Sequence, residues 1–106
     1  MELLFTAKNY TVYQSLKERC FYIDFDEKLV KLSFCELLAF RQKINQINID
    51  THFDRAVNNS GLEIISLCNK KHLFIFDTLQ IIALKKLVNG AIAALEFSSS
   101  LEKILL

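Results

Sequence analysis

The sequence lacks proline and tryptophan altogether and contains only two glycines among its 106 residues. No stretch of it forms a catalytic, metal-binding or nucleotide-binding motif. It also lacks an excess of one charge, because 13 Lys and Arg stand against 12 Asp and Glu and like charges form no run. This balance excludes the strong electrostatic field of a dedicated nucleic-acid binder. The sequence therefore predicts no cofactor, no metal and no nucleic-acid partner.

Cysteine is scarce, odd in number and without the paired spacing of zinc or disulfide sites. Cys20, Cys35 and Cys68 contain no C-x-x-C pair, which is typical of a reducing compartment and not of a disulfide framework. The N-terminus lacks the features of a signal peptide, since Glu2 stands where positive charge is expected and the apolar run ends after Phe5. We therefore expect a cytoplasmic protein.

Apolar residues, in contrast, are abundant. They make up 52% of the chain, and 106 residues suffice for one domain (1–106) with a single core. The most hydrophobic segment, 79–97, is as long as a membrane span, but Lys85, Lys86 and Asn89 lie at its centre, where charge is costly. We expect a buried helix there and no membrane contact.

In the first half of the chain, residues 10–48, the spacing of the apolar residues changes at Ser33 from a period of two to the period of a helix. The stretches "YTVYQSL", "CFYIDF" and "LVKL" are typical of half-buried strands. Ser33 and Glu36 then form S-x-x-E, the capping box of a helix N-terminus. Apolar residues follow at spacings of three and four, so we expect an amphipathic helix that ends near Asn48.

The second half, residues 62–97, repeats this order. "LEIISL" and "HLFIF" are typical of strands, Asp77 and Gln80 form the equivalent cap D-x-x-Q, and a helix follows to about Phe97. A hairpin followed by a capped helix is thus predicted twice.

The two halves also align at a constant offset of 44, where 29–44 matches 73–88 in polarity and role. The pattern predicts an α+β fold built from two β-β-α units: two layers, with an antiparallel sheet of about five strands and both helices on one face. A central loop (48–61) joins the units and a C-terminal tail (98–106) follows them. The alternative is that any strand capped into an amphipathic helix gives this pattern without duplication.

The second helix is apolar on nearly every side, and a helix of this kind is normally buried all round. Its small residues would let another helix approach closely. We therefore predict a homodimer whose interface includes Leu87, Gly90, Ala91 and Ala94. The alternative is that the C-terminal tail folds back as a third helix and covers this surface.

Two residues are weak candidates for chemistry, and no catalytic residue is predicted. His52 lies in "DTHFDR", where neighbouring charges could orient an imidazole, although such a loop is usually only solvated. Cys35 would occupy the second position of the first helix, where the helix dipole favours a reactive thiolate. We favour the reading of Cys35 as a small buried hydrophobe. A small redox or hydrolytic enzyme that uses Cys35 or His52 is the alternative function.

Tyr13 and Tyr22 are expected on the sheet face away from the helices. Aromatic side chains there could stack on bases, but no RNP-like sequence accompanies them and Asp24 lies nearby. We therefore interpret them as an aromatic patch for a protein partner.

The unit "FYIDF…LVKLSFCELLAFRQKI…EIISLCNKKHLFIFDTLQIIALKKL" resembles a group of short bacterial proteins of unknown function. The resemblance implies a hairpin, a capped helix, a loop and the same again, and implies no activity. The element order is also similar to that of the dimeric chaperones of type III secretion, although those begin with a helix and are acidic. We expect a non-enzymatic homodimer that binds a protein through the outer sheet face or a strand edge, with a secretion-chaperone-like binder as an alternative.

Overall fold

The structure is a computed structural model that describes residues 1–26, 28–48, 61–67 and 71–105, with side chains as far as Glu96. The described part of the chain is α+β, as the sequence predicts. Its elements are β1 (Glu2–Ala7), β2 (Tyr10–Ser15), β3 (Cys20–Asp24), β4 (Leu29–Leu32), α1 (Phe34–Gln46), β5 (Leu62–Leu67), β6 (His72–Asp77) and α2 (Thr78–Leu105). The predicted central loop lies outside the described residues except at its two ends.

The strands of the described residues form two antiparallel sheets. The first has the order β1-β2-β3-β4, and the second is the hairpin β5–β6. The sequence predicts one sheet of about five strands, so the division into two sheets differs from that prediction. The reason is that a period of two identifies a strand but not its neighbour, because pairing joins residues that are distant in the chain.

One face of the four-stranded sheet forms part of the core. Val12, Ile23 and Val30 are cross-strand neighbours in one row of this face, and all three are almost completely buried. Helix α2 contacts β1 and β2, while α1 contacts β3 and β4. The alternation in "CFYIDF" and "LVKL" therefore places its apolar half where the sequence predicts.

Strand β1 is an edge strand with a bulge. Leu3 is opposite Tyr13 and Phe5 is opposite Val12, so Leu4 is an extra residue without a partner of its own. Both Leu4 and Phe5 pack against the core. A regular strand would turn only one of two successive side chains inwards, and the bulge therefore adds apolar cover on this edge.

The two helices that the structure describes begin at the predicted caps. The backbone N–H of Glu36 donates to Ser33 Oγ over 3.1 Å, and the Glu36 carboxylate accepts from the Ser33 N–H over 2.9 Å. Asp77 and Gln80 exchange the same two bonds, each 2.8 Å long. The two capping predictions are confirmed, because this signal depends only on residues three positions apart.

Helix α2 is longer than the sequence predicts. Its backbone remains helical to Leu105, where we expect an end near Phe97 and a separate tail. After Gly90 the chain has no glycine or proline to stop a helix, and the segment that follows Phe97 contains good helix formers. The alternative in which the tail folds back as a third helix is therefore wrong.

A cluster of aromatic rings joins the two sheets. The Phe25 ring, at the end of β3, lies 4.5 Å from the Phe74 ring and 6.1 Å from the Phe76 ring, both on β6, measured between ring centroids. It also lies 5.8 Å from Phe40 on α1 and 6.1 Å from Tyr10 on β2. Buried residues from each of the two sheets and from α1 and α2 thus belong to one hydrophobic cluster.

Candidate interaction surfaces

The outer face of the four-stranded sheet carries a row of large side chains that crosses all four strands. Leu3 on β1 is opposite Tyr13 on β2, Tyr13 is opposite Tyr22 on β3, and Tyr22 is opposite Lys31 on β4. Each belongs to the half of its strand that alternates with the buried residues. The two tyrosines are thus brought together on the face away from the core, where the sequence predicts them.

Glu18, in the turn between β2 and β3, ties two members of this row together. The Tyr22 hydroxyl donates to Glu18 Oε2 over 2.8 Å, and Lys31 Nζ donates to the same oxygen over 3.0 Å. The hydrogen bond from Lys31, followed by the one from Tyr22, lowers the pKa of Glu18. The bond to Glu18 also raises the pKa of Tyr22 to about 12 and raises that of Lys31. Glu18 is not among the residues predicted from the sequence, since nothing local shows that a turn folds back beside β4.

A second row lies beside the first and is more polar. It runs from Thr6 through Thr11 and Asp24 to Leu29, and the two threonine hydroxyls are 3.3 Å apart. We call the two rows together the tyrosine face. Its members are Leu3, Tyr13, Tyr22, Lys31, Thr6, Thr11, Asp24 and Leu29. The tyrosine face therefore combines aromatic, aliphatic and charged groups, as protein-binding surfaces do.

The hairpin β5–β6 exposes a different kind of surface. Ile64 and Ile75 are cross-strand neighbours, and Leu73 is opposite Ser66 in the next outward position. Large fractions of the side chains are exposed: 48% for Leu62, 68% for Ile64, 68% for Leu73 and 60% for Ile75. We call these four residues the aliphatic face. Contiguous exposed aliphatic residues make this face a candidate interaction surface.

The predicted dimer interface on α2 has neighbours within the same chain. Leu87 and Ala91 are completely buried, so their side chains face the core and not a second subunit. A Cβ atom at Gly90 would overlap the ring of Phe5, which shows that this glycine accommodates β1. Ala94 is half-buried. The cover that α2 requires is thus supplied by β1, β2 and α1.

Helix α2 also has the length and composition of a membrane span between Thr78 and Glu96, and 39% of that stretch is buried within the chain. Core helices of soluble proteins can have the same length and composition. Ile81, Leu84 and Val88 are completely buried against the other elements. This face of α2 therefore belongs to the core.

Of the two candidates for chemistry, only Cys35 lies within the described residues. Cys35 is a free and exposed thiol, so our reading of it as a buried hydrophobe is wrong. The buried stripe of α1 is formed by Leu37, Phe40 and Ile44, and the second helical position does not lie on that stripe. Cys20 is free and buried. His52 and Cys68 lie outside the described residues.

His72 follows Lys70 and Lys71 in the sequence, where an exposed histidine is expected, and the structure differs from this expectation. His72 is the first residue of β6 and is half-buried. Its Nδ1 atom is buried and accepts or donates no hydrogen bond within the described part of the chain. Opposite His72 is the buried Leu67, so the strand register and not the local sequence removes this ring from water.

A cavity of about 360 Å³ lies beside the β2–β3 turn. It is lined by Gln14, Ser15, Leu16, Arg19, Cys20, Phe21, Phe34 and Leu95. Within the described residues, no group of three or more His, Cys, Asp or Glu side chains could hold a metal ion. The cavity wall is mainly apolar and joins no acid–base pair. The cavity could not be predicted from the sequence, because its lining comes from four separate parts of the chain.

Comparison with protein-family models, curated proteins and solved structures finds no match for this chain.

Proposed function

We propose that this chain is a non-enzymatic, cytoplasmic protein-binding module that acts as a homodimer, and that the tyrosine face contacts the protein partner. The observation that carries the proposal is the row Leu3–Tyr13–Tyr22–Lys31, which presents two tyrosines at the centre of the outer sheet face. Tyrosine is enriched in protein interfaces because its ring buries apolar area while its hydroxyl still binds polar groups. The free thiols of Cys20 and Cys35 support a reducing, cytoplasmic location.

The network around Glu18 makes this surface suitable for binding. Tyr22 and Lys31 are already held by one carboxylate oxygen in the unbound chain. A side chain that is ordered before binding loses less conformational entropy when the partner arrives. The rigid strands position Tyr13 beside Tyr22 without help from a loop.

The same surface is a poor choice for nucleic acid. Asp24 and Glu18 place carboxylates beside the tyrosines, and phosphate groups would be repelled by them. The net charge of +1 adds no general attraction. A protein partner therefore fits the chemistry of the tyrosine face better than RNA.

Site-specific photo-crosslinking in cells that naturally express the protein tests this proposal. A photoreactive phenylalanine analogue at Tyr13 should give a discrete protein adduct, and Tyr22→Ala should reduce the yield of that adduct. The matched control carries the same analogue at Gln42, which is exposed on α1, and should not give the adduct. Equal adducts from both positions, or an adduct of RNA, would contradict the proposal. The identity of the crosslinked protein distinguishes a general adaptor from a secretion-chaperone-like binder.

The enzyme alternative is favoured by one observation, which is the exposure of Cys35 in the first turn of α1. A redox or hydrolytic role would require a thiol that reacts faster than an ordinary cysteine. Titration with a thiol reagent, with Cys35→Ser as the blank, measures this rate directly. We expect the rate of an ordinary exposed thiol, and a rate that is tenfold or more higher would favour the enzyme.

We also propose that the chain consists of two copies of one β-β-α unit, packed in two layers with both helices on one sheet face. Three observations at the offset of 44 support this. The two caps make the same pair of bonds, and the buried residues Leu37, Phe40 and Ile44 match the buried residues Ile81, Leu84 and Val88. Asn45 and Asn89, the equivalent residues of the two helices, bind each other.

One feature limits the match between the halves. Leu32 and Phe76 are equivalent at the offset of 44. Their cross-strand partners are Phe21 and Glu63, and these two partners are 42 residues apart instead of 44. The two hairpins therefore differ in register by two residues. A shift of two keeps the same residues on the same face, so a duplicated unit tolerates it.

A further inference from the structure

We infer that the aliphatic face of β5–β6 is the homodimer interface and that its occupant is a second copy of this chain. The inference rests on the dimeric part of the proposed function and moves the interface from α2 to the hairpin. Leu87 and Ala91, predicted for the interface, are completely buried within one chain, whereas Ile64 and Ile75 are largely exposed. Only Ile64 and Ile75 can contact a second subunit without unfolding of the chain that carries them.

The hairpin has apolar side chains on both of its faces. Ile65 is buried and its cross-strand neighbour Phe74 packs against the core, while the neighbouring pair Ile64 and Ile75 points the other way. A strand that is apolar on both faces is typical of a sheet with a layer on each side. In the chain itself one layer is provided by the core, and the exposed face matches half of a sheet-on-sheet contact.

The charges at the two ends of this face suit a two-fold arrangement. Lys71 precedes β6 and Asp77 ends it, with Leu73 and Ile75 between them. Six residues of a strand separate the two charges by about 20 Å. A two-fold axis through the middle of β6 places Lys71 of one chain near the partner's Asp77, and the opposite pair forms at the other end. The surface is therefore complementary to itself in charge as well as in apolarity.

The area also agrees with a weak dimer. The exposed parts of the four aliphatic side chains amount to on the order of 400 Å² in each chain, which is the size of the largest apolar patch on many monomers, and such patches are often functional. Two such patches with their polar rims, which include Ser66 and Lys71, approach the roughly 1,200 Å² at the lower end of specific interfaces. We expect a dissociation constant in roughly the micromolar range.

The experiment measures the mass of the full chain by light scattering and sedimentation over a range of concentrations. The wild-type protein should have the mass of two chains at high concentration. Ile75→Lys and, independently, Ile64→Lys should each reduce the mass to that of one chain, because a charge cannot be buried in the contact. Leu29→Lys is the matched control, since Leu29 is 50% exposed on the tyrosine face, and it should remain a dimer. Circular dichroism reports whether each variant is folded.

A second measurement addresses the charge pairs. Lys71→Glu brings two carboxylates together at each end of the contact, and we expect the dissociation constant to rise roughly three- to tenfold. Lys28→Glu, an equal change of charge in the exposed turn before β4, should leave the constant unchanged.

Two results would overturn the inference. The first is a single-chain mass for the wild-type protein at every concentration up to hundreds of micromolar. The second is a dimer that persists in folded Ile75→Lys and Ile64→Lys, which would place the contact elsewhere. Neither result removes the photo-adduct at Tyr13, so failure of this inference and failure of partner binding are distinguishable.

Discussion

At the scale of single residues, Gly90 illustrates how a position on α2 is determined by a residue far away in the chain. The sequence associates this glycine with a partner helix, but in the structure it makes room for the Phe5 ring. Glycine inside a helix costs about 1 kcal/mol relative to alanine, so an isolated α2 would favour alanine here. The contact with β1 therefore explains the glycine without a second subunit.

The effect of Gly90→Ala on the free energy of unfolding should change sign with the residue at position 5. In the wild-type background we expect Gly90→Ala to lower the free energy of unfolding by about 1–2 kcal/mol, because the overlap outweighs the gain in helix propensity. In a Phe5→Ala background the same change should stabilise by up to about 1 kcal/mol. Denaturant unfolding of the four proteins measures both values.

Ala93→Gly is the control for this cycle, because Ala93 is exposed on the same helix. It should cost about 1 kcal/mol whatever residue occupies position 5. An equal effect of Gly90→Ala in both backgrounds would show that Phe5 does not contact the glycine.

Glu18 provides a prediction about pH. Its pKa in the folded chain is lower than the ordinary 4.5, chiefly because of the hydrogen bond from Lys31. A lowered carboxyl pKa means that the contribution of the network to stability is present above pH 4.5 and is lost as the pH falls through the lower, folded value. Carbon NMR of the glutamate carboxyl groups should show this low pKa in the wild-type protein.

The variants Lys31→Met and Tyr22→Phe should both raise the pKa of Glu18, the first by more, since Lys31 is the larger cause. Lys28→Met, which removes another exposed lysine, is the control and should change the pKa little. A larger shift in Tyr22→Phe than in Lys31→Met would mean that the phenol hydrogen bond dominates.

At the scale of elements, α1 and α2 are joined by a reciprocal amide pair. The Asn45 amide donates to Asn89 Oδ1 over 3.0 Å, and the Asn89 amide donates to Asn45 Oδ1 over 2.9 Å. The Asn89 amide also donates to the carbonyl of Lys85 over 2.8 Å. Both amide protons of Asn89 are therefore used, which fixes the orientation of its side chain.

A double-mutant cycle should reveal this pairing. Asn45→Ala and Asn89→Ala each remove both interhelical bonds, so the double variant should cost less than the sum of the single variants. We expect an interaction energy of about 0.5–1.5 kcal/mol in the free energy of unfolding. Asn45→Ala combined with Ala93→Gly is the control pair and should be additive. Additive effects of the two asparagine variants would contradict the contact.

At the scale of the whole molecule, the aromatic cluster around Phe25 makes the two sheets depend on each other. Phe25→Ala should lower the free energy of unfolding by about 3–5 kcal/mol, because a large buried ring is lost from a closely packed site. Unfolding should remain a single transition, with tyrosine fluorescence and far-ultraviolet circular dichroism giving the same midpoint. Two separated midpoints would show that the sheets unfold independently, and would contradict the prediction of one domain.

Features that depend on neighbouring residues could be predicted from the sequence, whereas features that depend on contacts between distant parts of the chain could not. The bounds of β5 and the N-termini of both helices were predictable, because alternation and capping involve neighbours in the chain. The burial of His72 Nδ1 was not, since it depends on how the hairpin is placed against the rest of the chain. The surface around Glu18 was missed for the same reason.

The sequence by itself determined the positions of strands β2 to β6, where the helices begin, and which strand face carries Tyr13 and Tyr22. Only the tertiary structure decided that the strands divide into two sheets, that β1 and its Phe5 cover α2, and that the aliphatic face of the hairpin is exposed. The physical reason is the distance over which each choice acts. Periodicity and caps are set by residues within one or two turns, whereas sheet partners and covering elements are selected by long-range packing, where several arrangements bury similar apolar area.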